Sequence, residues 1–310
     1  MVILINPAAG GGRALERWNR IESRILNRHP SVTPFILENG VNEKQWIGKR
    51  INEGETEFVA GGGDGTVNLL VESILEHRSL PLFPNVKLGA IGLGSSNDFH
   101  KPFQDTQRIE GIPCKMDFDS TIRRDLGTLT FEDEKGNLHK RYWIINASIG
   151  ITAEANLFFN FPNALLRLLK KMTTQGAILY SAFHTILNYR NREMEITLDK
   201  NIPFETSITN LGIIKSPHFS GNFCYDSPFE PQSGDFYVQL CEKMSLPRAI
   251  LTLLKLSQRK FSGLPLTRSW RSYQLIVRSD KPFAVEFDGE VISTRNTSFT
   301  IQPKLLQICP

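Results

Sequence analysis

Three loops that combine glycine with polar side chains could together hold the phosphates of a nucleotide. Glycine lets the backbone approach a phosphate closely, and a helix that begins at such a loop adds N–H groups and a positive dipole end. A carboxylate among the glycines could also hold a metal ion that bridges phosphate oxygens. The densest loop is residues 61–68, Gly-Gly-Gly-Asp-Gly-Thr-Val-Asn, and the other two are residues 6–12 and 92–99.

Other interpretations of residues 61–68 can be compared with this one. The loop could be a tight connection between a strand and a helix, with Thr66 as the helix N-cap. A P-loop is excluded, because the only Gly-Lys pair, Gly48-Lys49, is followed by Arg50 and has no glycine five residues earlier. Neither the 61–68 loop nor the cluster near Gly89 has the third glycine of a GxGxxG fingerprint, so a Rossmann dehydrogenase is unsupported.

The elements around the loops repeat a strand, a loop and a helix, which is typical of an open parallel α/β sheet. Strands are predicted at residues 2–5, 34–37, 57–60 and 87–91. Helices are predicted where apolar residues recur at helical spacing, at Ala14, Trp18, Ile21 and Ile25 and again over residues 67–75. Ligands of such sheets bind at the carboxyl ends of strands, so we expect the three loops to converge on one phosphate or nucleotide site.

From about residue 125 the pattern changes to longer alternating runs with polar turns, which is typical of antiparallel β structure. Later strands are predicted at residues 138–145, 194–198, 236–240, 273–277 and 284–287. Helical segments are predicted near residues 165–187 and 246–256. We therefore predict an α/β domain over residues 1–124 and a β domain over residues 125–295.

The composition is that of a soluble globular protein, since 40% of the 310 residues are hydrophobic and 22% are charged. The net charge of +4 tolerates an anionic partner, but no basic stripe interleaves with aromatic residues, so we expect no nucleic-acid binding. The four cysteines are too far apart for a zinc ribbon or a disulfide scaffold, and the six histidines form no HExxH pattern. No apolar run approaches the roughly 18 residues of a spanning helix, so we expect a cytoplasmic protein without a signal peptide.

The three loops resemble the nucleotide-site motifs of the diacylglycerol kinase catalytic domain family, which includes bacterial soluble lipid kinases and sphingosine kinases. The resemblance is carried by Asn6-Pro7 with Gly10, by Gly62-Gly63-Asp64-Gly65-Thr66 and by Gly94-Ser95-Ser96-Asn97-Asp98-Phe99. It continues over almost the whole chain, at residues 125–127, 146–150, 220–238 and 287–290. The GGDGT element is shared with NAD kinases, whereas the Asn-Pro loop and the late Asp-Gly-Glu turn favour the lipid-kinase branch.

The resemblance implies an N-terminal α/β nucleotide-binding domain of NAD kinase/diacylglycerol kinase type and a C-terminal β-sandwich domain, with the active site in the cleft between them. Residues 296–310 are expected to return to the first domain. The implied activity is ATP- and Mg²⁺-dependent transfer of the γ-phosphate to the hydroxyl of a diacylglycerol-like or other long-chain lipid. The lipid substrate would lie at a membrane surface, with the protein cytoplasmic or peripheral at the inner membrane face, and a homodimer is left open.

The resemblance also assigns roles to individual residues. The nucleotide cradle is assigned to Asn6, Gly10, Gly62, Gly63, Gly65, Thr66, Asn68, Ser95 and Asn97. The carboxylates expected to organise metal are Asp64, Asp98, Asp125 and Asp235. Glu290 is expected to be the base, and Asp64 is counted as catalytic with it, because phosphoryl transfer needs a divalent ion near the phosphates and an acceptor for the hydroxyl proton.

The sequence departs from the family pattern at several positions, mostly in the second domain. The loop at residues 92–98 lacks the usual proline and second glycine of Pro-x-Gly-Thr-Gly-Asn-Asp. Ser233 stands where bacterial members have an aspartate that helps hold a structural metal. Thr152 stands at a second position where they have an aspartate. These departures keep two alternatives open: an NAD kinase, and a catalytically inactive nucleotide-binding lipid sensor.

Structural interpretations stay open for other candidates. Asp288-Gly289 could be an ordinary type I′ hairpin turn, Asp125 a solvent carboxylate at a strand start, and Asp98 a helix cap. His100 lies near the proposed site but is expected to be a bystander. The segment 161–172 could lie on an anionic membrane, although we favour a helix with its leucines in the core and its basic residues outside.

Overall fold

The computed structural model describes residues 1–38 and 42–310, which form two compact units. Unit 1 is Met1–Arg124 together with Lys304–Pro310, and unit 2 is Asp125–Pro303. The helices are α1 (Ala9–Gly12), α2 (Ala14–Arg28), α3 (Glu43–Asn52), α4 (Asp64–Glu76), α5 (Ile151–Asn160), α6 (Ala164–Met172), α7 (Thr174–Asn188) and α8 (Leu246–Ser257). Short 3₁₀ turns lie at Phe83–Asn85, Asp98–His100 and Asp105–Gln107.

The strands follow in chain order. They are β1 (Val2–Ile5), β2 (Thr33–Ile36), β3 (Glu57–Gly62), β4 (Lys87–Gly92), β5 (Arg108–Ile109), β6 (Ile112–Lys115), β7 (Ile122–Glu132), β8 (Leu138–Trp143), β9 (Asn146–Gly150), β10 (Arg192–Leu198), β11 (Phe204–Ile214), β12 (His218–Phe219), β13 (Phe223–Cys224), β14 (Phe236–Glu242), β15 (Thr267–Ser272), β16 (Gln274–Phe287) and β17 (Glu290–Ile308).

The centre of unit 1 is a parallel sheet with the strand order β2-β1-β3-β4. All four residues of β1 are buried, which is why this strand is a continuous apolar run. Along its other edge, β4 pairs in parallel with residues 307–308 and antiparallel with β6. The four strands predicted for this part of the chain are confirmed.

The helices of unit 1 pack on this sheet through the predicted apolar stripes. Trp18 and Ile21 of α2 are buried in one core cluster with Ile3 and Val59 of the sheet. In α4 the stripe over residues 67–75 is buried as well. The predicted N-cap is wrong, however, because Gly63 occupies the cap position and Thr66 lies inside α4.

Unit 2 is built on antiparallel pairing. The long strands β11 and β16 each pair with β10 over one part of their length and with β9 over another. They therefore join β9 and β10 in one sheet. The largest buried side chains of this core are Trp143, Phe236, Phe283, Phe287 and Phe299. The predicted β-rich character of the second part of the chain is therefore confirmed.

Two details of unit 2 differ from the predicted strands. Residues 273–277 and 284–287 were expected to form separate strands, yet they belong to the single strand β16, whose register with β17 shifts between Arg278 and Phe283. The predicted strand 138–145 ends at Trp143, and β9 begins at Asn146.

The helix α6 does not face the core. Only Leu166 of its apolar residues is buried, whereas Leu165, Leu168 and Met172 are 49%, 54% and 70% exposed. The favoured prediction of a core-facing helix is therefore wrong, because most of the apolar face of α6 lies towards solvent. Over residues 1–38 and 42–310, no helix combines the length and apolar character required to cross a bilayer.

Gly127 lies at a position where a side chain would have no room. It pairs with Trp143 across β7 and β8, and a Cβ at this position would overlap the indole ring. Trp143 is completely buried and contacts Phe236 edge-on, so its ring has little room to move. A glycine inside a strand often marks such a close approach.

We expect Gly127→Ala to lower the free energy of unfolding by about 1–3 kcal/mol, because an added methyl group must displace a packed ring. Chemical denaturation monitored by tryptophan fluorescence and circular dichroism measures the change.

The matched control is the double variant Gly127→Ala/Trp143→Leu. A smaller side chain at position 143 removes the clash, so the double variant should lose less stability than the sum of the two single variants. Strictly additive losses would mean that the glycine is not required by the ring.

Candidate functional site

The three glycine-rich loops meet at one edge of the parallel sheet of unit 1. Ile5 lies opposite Gly61, and Gly62 lies opposite Gly92, so β1, β3 and β4 end at the same level. The N–H groups of Leu93 and Gly94 donate to the carbonyl of Gly62 at 2.9 and 3.0 Å, respectively. The predicted convergence of the loops is thus what the structure shows.

Close contact between loops requires glycine at particular positions. A Cβ on Gly94 would lie 2.9 Å from the backbone nitrogen of Gly63, and a Cβ on Gly10 would lie 2.7 Å from the carbonyl oxygen of Leu93. Gly10 also has a φ of 62°, in the left-handed region that favours glycine. Backbone atoms, rather than side chains, therefore form most of this surface.

Asp64 joins two of the loops. It is the first residue of α4, and its carboxylate accepts hydrogen bonds from the N–H groups of Asp98 at 3.1 Å and Phe99 at 2.9 Å. A carboxylate is also favourable at a helix N-terminus, where the dipole is positive. Asp64 consequently holds the 92–99 loop against the start of α4 and remains only half-buried.

The 92–99 loop is braced from within. Asn97 adopts the left-handed conformation with φ 52°, where its Oδ1 accepts from the Gly94 N–H at 3.1 Å and its Nδ2 donates to the Gly92 carbonyl at 3.1 Å. Ser95 is exposed at the tip of the loop. Asn97 therefore links the two ends of the 92–97 segment through its own hydrogen bonds.

The Asp98 carboxylate is engaged within the protein. It accepts from Lys101 Nζ at 2.6 Å and from Ser96 Oγ at 2.6 Å, and both members of the ion pair are more than nine-tenths buried. The structural alternative of Asp98 as a helix cap is wrong, because Asn97 occupies the cap position and Asp98 is the first residue of the 3₁₀ turn. Its charge is balanced by Lys101 in this structure.

The other predicted cradle residues occupy different depths. Asn6 donates from Nδ2 to Thr66 Oγ1 at 3.1 Å, which ties the first loop to α4. Gly65 is exposed at the start of the helix, whereas Thr66 and Asn68 are buried within it. Gly65 can thus be reached by a ligand, while Asn68 is fully buried.

Arg17 is a site residue that the sequence reasoning missed. Its Nη1 donates to the carbonyls of Leu93, at 2.8 Å, and Gly94, so the guanidinium lies at the junction of the glycine loops. Burial, followed by the charge of neighbouring Arg13, lowers the pKa of Arg17. The spacing of Arg13 and Arg17, four residues apart directly after the first glycine loop, indicates a basic helix face there. The apolar pattern of α2 does not reveal it.

Glu290, the predicted base, lies in unit 2 at the hairpin between β16 and β17. Asp288 and Gly289 form its two-residue turn with φ values of 47° and 93°, as expected for type I′. The Asp288 carboxylate accepts from the backbone N–H groups of residues 144, 145 and 146 at 2.6–3.0 Å. Glu290 itself is partly exposed and pairs with Arg141 at 2.6 Å.

Asp125 and Asp235, the other predicted metal ligands, both contact Lys215 in unit 2. Lys215 Nζ donates to the Asp125 carboxylate at 3.0 Å and to the backbone carbonyl of Asp235 at 2.7 Å. The carboxylate of Asp235 instead pairs with Arg271 at 2.8 Å. Within the described residues there is no group of three or more His, Cys, Asp or Glu side chains that could hold a metal ion.

Comparison with known proteins agrees with the motifs. Residues 1–127 match the model of the diacylglycerol kinase catalytic domain, and this segment includes all three glycine-rich loops. The resemblance to this family is confirmed over residues 1–127.

Two relatives have names of the same kind. A Streptococcus pneumoniae serotype 4 protein named "Putative lipid kinase" is 31% identical over 126 residues, which are 41% of this chain and 41% of that protein. This chain therefore matches well under half of that relative's length. A Staphylococcus haemolyticus protein named "Diacylglycerol kinase" is 22% identical over 253 residues, 81% of this chain and 70% of that one.

Solved structures confirm the predicted fold class. A crystal structure of a "putative diacylglycerol kinase" from Bacillus anthracis superposes with a TM-score of 0.73 at 15% identity, covering 99% of this chain and 94% of that one. Yeast NADH kinase complexed with NADH gives a TM-score of 0.50 at 11% identity, covering 99% and 81%. At these identities the likeness is one of fold: an α/β part of diacylglycerol kinase/NAD kinase type followed by a β-rich part.

His100 lies directly after the 92–99 loop as a buried neutral ring. Burial, followed by the charge of Lys115, lowers its pKa from 6.5 to about 3. Its ring lies edge-on to Phe99, and its Nδ1 has no hydrogen-bond partner among the described residues. The folded protein therefore excludes the proton that an unfolded histidine binds below pH 6.5.

We expect the domain to lose stability as the pH falls from 6.5 towards 3, because a depressed folded pKa contributes stability only above the unfolded value. Between pH 7 and pH 5 the loss attributable to His100 should be about 2 kcal/mol. Urea unfolding of the wild-type protein and of His100→Gln at both pH values measures it.

His29→Gln, which removes a histidine at the end of α2, is the control and should keep the wild-type pH dependence. An equally steep loss in His100→Gln would show that other groups produce it.

Proposed function

We propose that this protein is an ATP-dependent lipid kinase that transfers the γ-phosphate of ATP to the hydroxyl of a diacylglycerol-like or other long-chain lipid. The observation that carries the proposal is the glycine surface at the start of α4, where the backbones at Gly63 and Gly94 approach and Asp64 binds the neighbouring loop. The family match includes this surface, and the names of both relatives support a lipid acceptor.

ATP would bind with its phosphates at the glycine surface. Gly65 and Ser95 are exposed there, and the N-terminus of α4 supplies the positive end of a helix dipole. Arg17 adds a guanidinium at the junction of the loops, a group suited to phosphate oxygens. Asn6, Asn97 and Asn68 would shape the cradle through their contacts with the loops and α4.

Asp64 fits a divalent ion better than the other predicted ligands do. Asp64 is a half-buried carboxylate within the glycine surface, and a carboxylate offers about four acceptor positions. Mg²⁺ in kinase sites is commonly held by one or two carboxylates and the substrate phosphates, without an all-protein cage. When bound, the ion would neutralise charge on the phosphates.

Glu290 would accept the proton of the attacking lipid hydroxyl. The new bond joins the hydroxyl oxygen to the γ-phosphorus, and the bond between that phosphorus and the bridging oxygen breaks, which releases ADP. The short hairpin and the three amides bound by Asp288 fix the backbone from which Glu290 projects. Arg141 stabilises the ionised carboxylate through its ion pair.

Two other functions are favoured by specific observations. The fold likeness to yeast NADH kinase favours a dinucleotide as the alternative acceptor. An inactive nucleotide-binding lipid sensor is favoured by the pairing of three predicted metal carboxylates with cations: Asp98 with Lys101, Asp125 with Lys215 and Asp235 with Arg271.

The helix α6 would meet the lipid surface. Its exposed Leu165, Leu168 and Met172 lie beside the exposed cations Arg167 and Lys171. An apolar face flanked by cations suits a membrane with anionic headgroups. We place the lipid-facing side of unit 2 at this helix.

We expect the purified protein with γ-labelled ATP and Mg²⁺ to label a lipid offered in mixed micelles and to leave NAD unlabelled. The lipids are diacylglycerol and a sphingoid base, assayed separately. Glu290→Gln should lower turnover about 10²- to 10⁴-fold at unchanged ATP affinity, because an amide cannot accept the proton.

Glu132→Gln, at an exposed strand end, is the matched control and should keep full activity. Asp64→Asn should lose ATP binding and also melt earlier, since an amide group cannot accept both N–H groups. Labelled NADP would favour the dinucleotide kinase, and ATP binding without any product would favour the sensor.

We expect Arg167→Gln/Lys171→Gln to weaken binding to phosphatidylglycerol vesicles about fivefold per charge, because each cation near an anionic surface contributes about 1 kcal/mol. Vesicle sedimentation measures the binding.

Lys49→Gln removes one exposed lysine of α3 in unit 1 and serves as the control, compared per charge removed. Equal weakening by this control would mean that net charge, not α6, attracts the membrane.

A further inference from the structure

A buried lysine side chain of unit 2 ends in a pocket of oxygen atoms. Lys215 Nζ contacts Asp125 Oδ2 at 3.0 Å, the carbonyl oxygens of Glu230 and Asp235 at 2.9 and 2.7 Å, and Ser233 Oγ at 3.2 Å. The side chain of Lys215 is 1% exposed, and that of Asp125 is 0% exposed. Four oxygens from two segments of chain therefore surround one ammonium group.

Backbone contacts build this pocket around Asp125. Its N–H donates to the carbonyl of Pro231 at 2.9 Å, and its Oδ2 accepts from the N–H of Gly234 at 2.8 Å. Lys215 directly follows β11, and its own N–H donates to the carbonyl of Ile145 at 3.0 Å. The Lys215 ammonium group thus links three segments: strand β7, the end of β11 and the turn over residues 230–235.

The oxygens of the pocket do not fit the structural metal that the family resemblance implies for this turn. Their distances from Nζ, 2.7–3.2 Å, are those of N–H···O hydrogen bonds. Ligand oxygens lie about 2.0–2.1 Å from Mg²⁺ and about 2.3–2.6 Å from Ca²⁺. The carboxylate of Asp235 does not face the pocket centre but pairs with Arg271.

The charge balance also favours an ammonium group. The Asp125 carboxylate lies 3.0 Å from Nζ, so the charges of the buried pair cancel. A divalent ion in place of the ammonium would leave one positive charge uncompensated, and buried unpaired charge is strongly unfavourable. Three N–H groups satisfied by surrounding oxygens meet the requirement that makes a buried ion pair tolerable.

We propose that the Lys215 ammonium is the resident cation of this turn, taking the place of a structural metal ion and positioning Asp125 and residues 230–235. Unit 2 then needs no divalent ion at this point. Ser233 fits the same arrangement, because its hydroxyl is a weak metal ligand but a good partner for an ammonium group. The proposal concerns stability and does not depend on the kinase activity.

Thermal unfolding of the full chain without nucleotide tests the proposal. The wild-type midpoint should be the same in EDTA and in millimolar Mg²⁺ or Ca²⁺. Lys215→Met should lower the midpoint by roughly 10 °C, because it leaves Asp125 buried without its partner. Lys215→Met/Asp125→Asn should recover most of the loss, since both charges are then absent and the Gly234 N–H keeps an acceptor.

Chemical rescue adds a test specific to the ammonium group. Lys215→Ala leaves space for a small amine, so propylammonium chloride should raise its midpoint, while sodium chloride of equal ionic strength should not. The unfolding midpoint of the wild-type protein should be the same in both salts. Arg271→Gln, which removes an exposed cation of β15 that pairs with Asp235 of this turn, is the control and should shift the midpoint by only about 1–3 °C.

Two results would overturn the proposal. One is a wild-type midpoint that rises with divalent ions and no longer does so in Asp125→Asn, which would mean that a metal binds here. The other is a Lys215→Met variant as stable as the wild-type protein. If Lys215→Met does not fold, a folded double variant supports the proposal, and an unfolded one contradicts it.

Discussion

The approach of two backbones, at Gly63 and Gly94, is the constraint on which the candidate site of unit 1 depends. Parallel pairing of β3 with β4 brings the ends of both strands to one level, and the absence of side chains lets the following loops touch. Asp64 then fixes the contact by binding the N–H groups of residues 98 and 99. Because backbone geometry places this surface, exposed residues such as Ser95 can depart from the family pattern without moving it.

The sequence predicts those parts of the molecule that depend on local pattern. The strands and apolar stripes of unit 1 follow from the spacing of buried residues such as Trp18 and Ile21, and the turn at Asp288-Gly289 follows from two residues that tolerate positive φ. Contacts between distant positions are not encoded in spacing. The junction made by Arg17 with Leu93, and that of Lys215 with Asp125, each join residues far apart in the chain. For α6 the pattern itself is ambiguous, because an apolar face opposite basic residues suits both a helix packed on the core and a helix at a membrane surface.

Carboxylates in this protein are organised more by the protein itself than by the metal sites a motif suggests. Asp98, Asp125 and Asp235 pair with cationic side chains, while Asp64 and Asp288 bind backbone N–H groups. Both arrangements satisfy charge that would otherwise be costly to bury. Asp64 alone combines a structural contact with partial exposure in the glycine surface, so it links the stability of unit 1 to the chemistry proposed there.

The anchoring of Asp288 also bears on how the β strands of unit 2 find their alignment. β9 pairs with β16 over only a few residues, with Ile149 opposite Val285 and Ala147 opposite Phe287. A slip by one residue would turn Phe287 out of the core and carry the Asp288 carboxylate away from the amides of residues 144–146. The burial of Phe287 and the hydrogen bonds of Asp288 would therefore both be lost in the same shifted register. The hairpin thus favours the native register of β9 and β16 over a register shifted by one residue.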